Sequence, residues 1–170
     1  MKHNKGFTLV ELVVVIAIIG VIAAILVPSL MNYVRKSKLQ AANTNSKLAY
    51  NAVLAYVNEE QTKGRTLSNV LSDFAQASTN TGLDCTNAPT AEADKKIFNM
   101  LSQNGIESGF VWVVGGITIN GKSSFVVQWA KGGANDNVWG QYPNPISWDD
   151  YSDYIQGSSY RPGQYVENWS

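Results

Sequence analysis

Histidine and cysteine are almost missing from this 170-residue chain: each occurs once, as His3 and Cys85. A single cysteine excludes an intrachain disulfide. A free cysteine usually packs as a small apolar side chain, so Cys85 is expected to be half-buried rather than reactive. Net charge is missing as well, because 13 basic and 13 acidic residues cancel. No global field therefore points to a nucleic-acid partner. Nor does any catalytic constellation stand out. Gly115-Gly116 lacks the lysine and Ser/Thr of a phosphate-binding loop. These absences predict a chain that is not an enzyme and has no resident cofactor.

What the chain does have is an apolar start. Residues 1–31 read MKHNKGFTLVELVVVIAIIGVIAAILVPSLM, in which Lys2 and Lys5 lead into Gly6 and Phe7. From Phe7 to Met31 one side chain is charged, Glu11. About 20 apolar residues in a helix rising ~1.5 Å each span a bilayer core, so the segment is long enough to cross a membrane. A carboxylate carried to mid-membrane would cost roughly 2.5–3.5 kcal/mol on insertion scales, so Glu11 needs compensation.

Lys5-Gly6 followed by Phe7-Thr8-Leu9-Val10-Glu11-Leu12 and an apolar helix resembles the prepilin signal shared by type IV pilins and type II secretion pseudopilins. The resemblance covers roughly Lys5 to Pro28. It implies cleavage by a prepilin peptidase between Gly6 and Phe7, N-methylation of Phe7, and docking onto a neighbouring subunit through Glu11. Pro28 falls where many members of that family keep a helix-breaking proline. Cleavage would remove His3, leaving no histidine for a triad or a zinc site. Many Gram-negative pilins pin their C-terminal loop with a disulfide. This chain departs from that pattern and would hold its C-terminal region by packing or a bound ion, which is nearer to the pilins of Gram-positive bacteria such as clostridia.

Two plainer readings account for less. An ordinary secretory signal would share the basic start and apolar run, with Val21-Ile22-Ala23 as a cleavage site, yet its core would be shorter. A simple single-pass anchor also leaves Gly6-Phe7 and Glu11 unexplained. Charge does not orient the segment, because Arg35, Lys36 and Lys38 follow it while Lys2 and Lys5 precede it.

Past Met31 the pattern turns amphipathic. Ala41, Leu48 and Ala55 recur at heptad spacing, widened by Ala52 and Val53, with Asn43 to Lys47 largely on the other face. Gly64 is suited to end the helix, with Lys63 in its last turn. One helix is thus expected from about Phe7 to Lys63. Leu67, Val70, Leu71 and Phe74 predict a short helix capped by Thr66, and Ala93, Ile97 and Leu101 predict another between Pro89 and Gly105. The stretch STNTGLDCTNAPT between them, residues 78–90, reads as loop.

From Phe110 the period becomes that of strands. Phe110–Val114 and Ile117–Ile119 flank Gly115-Gly116, and Asn120-Gly121 is a hairpin signal leading to Ser124–Ala130, with Phe125, Val127 and Trp129 on one face. A sheet needs an apolar partner, and the stripe of the long helix supplies one.

The tail after Lys131 reads as irregular and aromatic: Trp139, Tyr142, Trp148, Tyr151, Tyr154, Tyr160, Tyr165 and Trp169 either cover the sheet or form a contact surface. Asp149, Asp150 and Asp153, with Asp136, offer oxygen ligands for calcium, which major pseudopilins of the resembled family bind near the C-terminus, although the spacing fits no EF-hand and solvated acids are the commoner outcome.

The expected fold is therefore α+β, a long N-terminal helix on a small antiparallel sheet. Its parts are a leader at 1–6, a transmembrane or filament-core half-helix at 7–31, an amphipathic half at 32–63, and a globular head at 64–170. The resemblance implies a pilus subunit serving adhesion, twitching motility or aggregation. Its partners would be copies of itself, the peptidase, an assembly platform with its ATPases, and the membrane before extracellular assembly. A pseudopilin of a secretion or competence system is the alternative, and a membrane-anchored enzyme a more distant one. Gly20 and Pro28 mark the weakest turns of the helix, where an assembled filament is expected to break it.

Overall fold

A computed structural model describes residues 7–74, 82–132, 138–152 and 162–164. The chain divides into two compact units, one ending at Ser37 and one beginning at Lys38. Helix α1, Leu9–Thr62, runs through both without losing its helical assignment, Pro28 included. The expected limits of Phe7 and Lys63 lie one or two residues outside it.

The first unit is helix alone. Its large apolar side chains are exposed on every side, from Phe7 and Leu9 to Met31 and Val34. A helix that is apolar all round has no aqueous face. By length and composition it can cross a membrane.

The second unit is built on the remainder of α1, followed by α2 (Leu67–Leu71), β1 (Leu83–Asp84), α3 (Glu92–Gln103), β2 (Phe110–Ile119), β3 (Lys122–Ala130), β4 (Trp139–Tyr142) and α4 (Trp148–Asp150). The four strands form one antiparallel meander in the order β1-β2-β3-β4. Two of them correct the sequence reading. β1 lies inside the stretch read as loop and pairs Leu83 with Val111, and β4 lies in the tail read as irregular, pairing Ala130 with Trp139. Both are too short to show a period of two.

The helix stop is a Schellman turn. Gly64 has φ of 86°, its N–H bonds the Gln61 carbonyl at 3.0 Å, and the Arg65 N–H bonds the Glu60 carbonyl at 3.3 Å. Those are the two bonds that satisfy the last carbonyls of a helix when the next residue turns left-handed. Thr66 caps α2 by accepting from the Asn69 N–H. At the hairpin, Asn120 and Gly121 both have positive φ, as a type I′ turn requires. Gly115-Gly116 is a bulge: Val114 faces Val126 and Ile117 faces Ser124, so β2 has one residue too many.

The core departs from the expected stripe. Ala41 and Ala55 are exposed and Leu48 only half-buried. The buried line is Leu39, Ala42, Ser46, Ala49, Ala52, Val53, Tyr56, Val57 and Glu60, so of the expected stripe Ala52 and Val53 are buried. Ser46, assigned by pattern to the polar face, is buried because its hydroxyl donates to the Ala42 carbonyl one turn back, at 2.9 Å. The small residues let β4 approach the helix backbone: a Cβ added to Gly140 would lie 2.3 Å from the backbone of Ala42 and Asn43. Over this line pack Val111, Val113, Phe125, Val127 and Trp129 with Val70, Phe74, Ile97 and Leu101. Cys85 joins the same core, fully buried rather than half-buried. Burial first, and then Asp84 beside it, push its thiol pKa up to about 12, which leaves it unreactive.

The sheet is covered on its other face as well, since β3 is buried at every position from Phe125 to Ala130. Trp112, Ala130, Trp139, Ile146 and Tyr151 form a second cluster. Of the tail aromatics, Trp139 and Tyr151 are buried and Tyr142 and Trp148 half-buried; Trp139 and Tyr142 belong to β4 itself, and Tyr151 and Trp148 pack in the second cluster. Tyr154, Tyr160, Tyr165 and Trp169 lie outside the described residues.

Candidate functional site

The residues singled out by the motif lie at the start of α1. Gly6 is outside the described residues. Phe7 precedes the helix and is 88% exposed. Thr8 is the residue at which the helix begins, and it is tied to Glu11 in both directions. The Thr8 N–H and its hydroxyl each donate to Glu11 Oε2 at 2.8 Å, while the Glu11 N–H donates to Thr8 Oγ1 at 3.2 Å. This is a capping box, in which an N-cap hydroxyl and an acid three residues on satisfy each other's orphan N–H groups. The Thr8-Leu9-Val10-Glu11 spacing carries that signal, and the sequence reading missed it by considering Glu11 only as a charge to be compensated.

Both contacts use Oε2. Glu11 Oε1 makes no hydrogen bond among the described residues, so the carboxylate is held in a fixed rotamer with one oxygen left over. Such a group can take up a cation brought to it without first being ordered.

Gly20 and Pro28 sit farther along the same helix, which continues through them. Nothing lies within 4 Å of where a Gly20 side chain would begin. Proline offers no N–H to the carbonyl four residues back, that of Ala24, so this turn is held by one bond fewer.

Of the acidic candidates, Asp150 is engaged locally. Asp150 is buried, its Oδ2 accepting from the Ser147 hydroxyl at 2.6 Å while the Asp150 N–H donates to Ser147 Oγ at 3.1 Å. Asp149 is exposed, and Asp136 and Asp153 lie outside the described residues. Among the described residues, no group of three metal-ligating side chains forms.

The strongest charged network closes the other end of α1. Arg65 bridges Asp73 and Glu60, Lys63 pairs with Glu59 and Glu60, and the Tyr56 hydroxyl donates to Asp73. The Arg65 guanidinium holds the Asp73 carboxyl below its usual range. These contacts lock α2 onto the end of α1.

Residues 1–27 match the family profile described as the prokaryotic N-terminal methylation motif. The N-terminal part of this chain is similar to that of type IV pilins. It is 44% identical over 58 residues to the type IV major pilin protein PilA of Myxococcus xanthus, covering 34% of this chain and 26% of that one. It is 49% identical over 49 residues to the type IV major alpha-pilin of Moraxella bovis, covering 29% and 30%. It is 53% identical over 36 residues to the type IV major fimbrial protein FimA of Dichelobacter nodosus, covering 21% and 23%. The chain thus matches under a third of the length of these relatives. No solved structure matches it. The fold is α+β, a long N-terminal helix packed through its second half on a four-stranded antiparallel sheet.

Proposed function

We propose that this chain is a prepilin, the structural subunit of a type IV pilus. A peptidase cuts between Gly6 and Phe7, Phe7 is methylated, and the first half of α1 holds the subunit in the membrane until an ATP-driven assembly platform draws it into an extracellular filament. The observation that carries this reading is one segment: the methylation motif over residues 1–27 opens a helix whose large apolar side chains are exposed among the described residues. Leaving so much apolar surface bare is costly in water, so it calls for lipid before assembly and copies of the chain afterwards. Glu11, with one oxygen uncommitted, is the docking group for the Phe7 amine of an adjacent copy.

Adhesion, surface motility and aggregation are the tasks such a fibre supports. The relatives named above are described as pilins or fimbrial proteins, which favours a pilus over a secretion pseudopilus. Shearing the cells of origin tests the reading. Long filaments made mainly of this chain, with a mature mass beginning at methylated Phe7, are expected. A mature chain that starts at Ala24 or keeps Met1 refutes the processing, and a sheared fraction without fibres refutes the pilus.

A further inference from the structure

Beyond the apolar run, α1 carries a charge pattern that the other described residues do not answer. No Asp or Glu stands between Glu11 and Glu59, while Arg35 and Lys36 follow directly on Val34. Neither cation makes an ion pair or hydrogen bond among the described residues. Lys36 is exposed and Arg35 half-buried. Tyr33, two residues before Arg35, is 72% exposed.

Their depth is set by counting. Leu12 to Val34 carry no charge, and 23 residues at ~1.5 Å each extend about 35 Å, slightly more than the ~30 Å hydrocarbon core. With Glu11 at one boundary, Tyr33, Arg35 and Lys36 reach the headgroup layer of the other. An exposed tyrosine is at home there, with its ring in the acyl boundary and its hydroxyl in water. Guanidinium and ammonium groups at that depth face phosphate, and an anionic lipid adds a net negative charge to it.

We propose that Tyr33, Arg35 and Lys36 form a binding collar for anionic phospholipid headgroups on the membrane-held subunit. The collar rests on the membrane reading above and adds to it a lipid preference. Arg35 takes phosphate through its planar fork and Lys36 as a point charge. Leaving the membrane then means leaving these lipids, so lipid composition sets how firmly the unassembled pool is held.

The test uses the full chain reconstituted into phosphatidylcholine vesicles with or without 30% phosphatidylglycerol, beside Arg35→Gln/Lys36→Gln and the charge-keeping Arg35→Lys/Lys36→Arg. Resistance to carbonate extraction reads insertion. Native mass spectrometry in mild detergent reads the lipid that stays with the chain. Lys2 and Lys5 are the same in all three proteins, so differences report the collar. The ratio of phosphatidylglycerol to phosphatidylcholine held by the wild type should exceed the vesicle ratio by roughly fivefold per collar cation. The enrichment should survive in the charge-keeping variant, fall toward the vesicle ratio in the glutamine variant, and weaken in high salt.

Equal enrichment in the glutamine variant, or none in the wild type, overturns the collar while insertion still stands. Carbodiimide cross-links from Lys36 to acids of a second copy, without lipid enrichment, overturn it in favour of a protein partner. Failure of all three chains to insert overturns the membrane reading itself, and the collar with it.

Discussion

Two roles meet at Glu11. Its Oε2 closes the capping box with Thr8, and the proposed docking onto a neighbour would use Oε1. The two roles separate by substitution. Thr8→Ala removes the hydroxyl but keeps the acid, and losing an N-cap side chain costs about 1 kcal/mol of helix stability. Glu11→Ala removes both the cap partner and the docking charge. Each variant should insert at near wild-type levels, because the remaining helix is apolar enough to carry it. Thr8→Ala should still give filaments, reduced at most a few-fold, whereas Glu11→Ala should give none. Quantifying sheared fibres against membrane-held subunit reads the difference. Equal losses in both variants would make Glu11 a helix cap and nothing more.

Without a disulfide, the second unit fastens its C-terminal residues through a pair of glutamines at the level of strands. Gln128 on β3 and Gln141 on β4 face each other in register, both fully buried. Gln128 Nε2 donates to Gln141 Oε1 at 2.9 Å and to the Gln164 carbonyl at 2.6 Å, and its Oε1 accepts from the Gly163 N–H at 2.6 Å. Gln128→Ala strips Gly163 of that acceptor and Gln141 of that donor. At roughly 1–3 kcal/mol for each buried group left unpaired, the loss should be about 3 kcal/mol. Urea unfolding of the detergent-held chain measures it, and limited proteolysis should cut first near residues 162–164. A change under about 0.5 kcal/mol would leave the glutamines without a fastening role.

Nothing in the sequence pattern pointed to this pair, because a glutamine inside an apolar run reads as an outward residue until the covering segment is placed. The same blindness explains β4, whose four residues include a glycine that exists to let α1 come close. It explains Ser46 too, whose hydroxyl is satisfied by its own helix. The elements that were legible are those with local chemistry: the Gly64 stop, the Thr66 cap, the Asn120-Gly121 turn and the Gly115-Gly116 bulge. The motif residues were legible for the same reason, since Phe7 and Glu11 lie within a few positions of each other.

For the molecule as a whole, the open question is what a single-chain helix becomes when many copies pack. In the isolated chain α1 keeps its helical assignment from Leu9 to Thr62, as lipid would demand, because an unpaired carbonyl there costs several kcal/mol. The stretch from Gly20 to Pro28 is nevertheless its weakest. An interior proline costs ~3 kcal/mol or more and a glycine roughly 1 kcal/mol relative to alanine. Packed among copies, the backbone is buried in protein rather than lipid, and irregular structure becomes tolerable. Residues Gly20 to Pro28 are therefore predicted to lose helical hydrogen bonds on assembly. Nine residues passing from ~1.5 Å to at most ~3.3 Å each would lengthen the segment by no more than about 16 Å. Gly20→Ala/Pro28→Ala strengthens the helix in the membrane and should lower the yield of filaments without lowering insertion. A filament map that traces this backbone decides the matter: a helix unbroken from Gly20 through Pro28 in the fibre would mean that the proline is a fixed feature, the same before and after assembly.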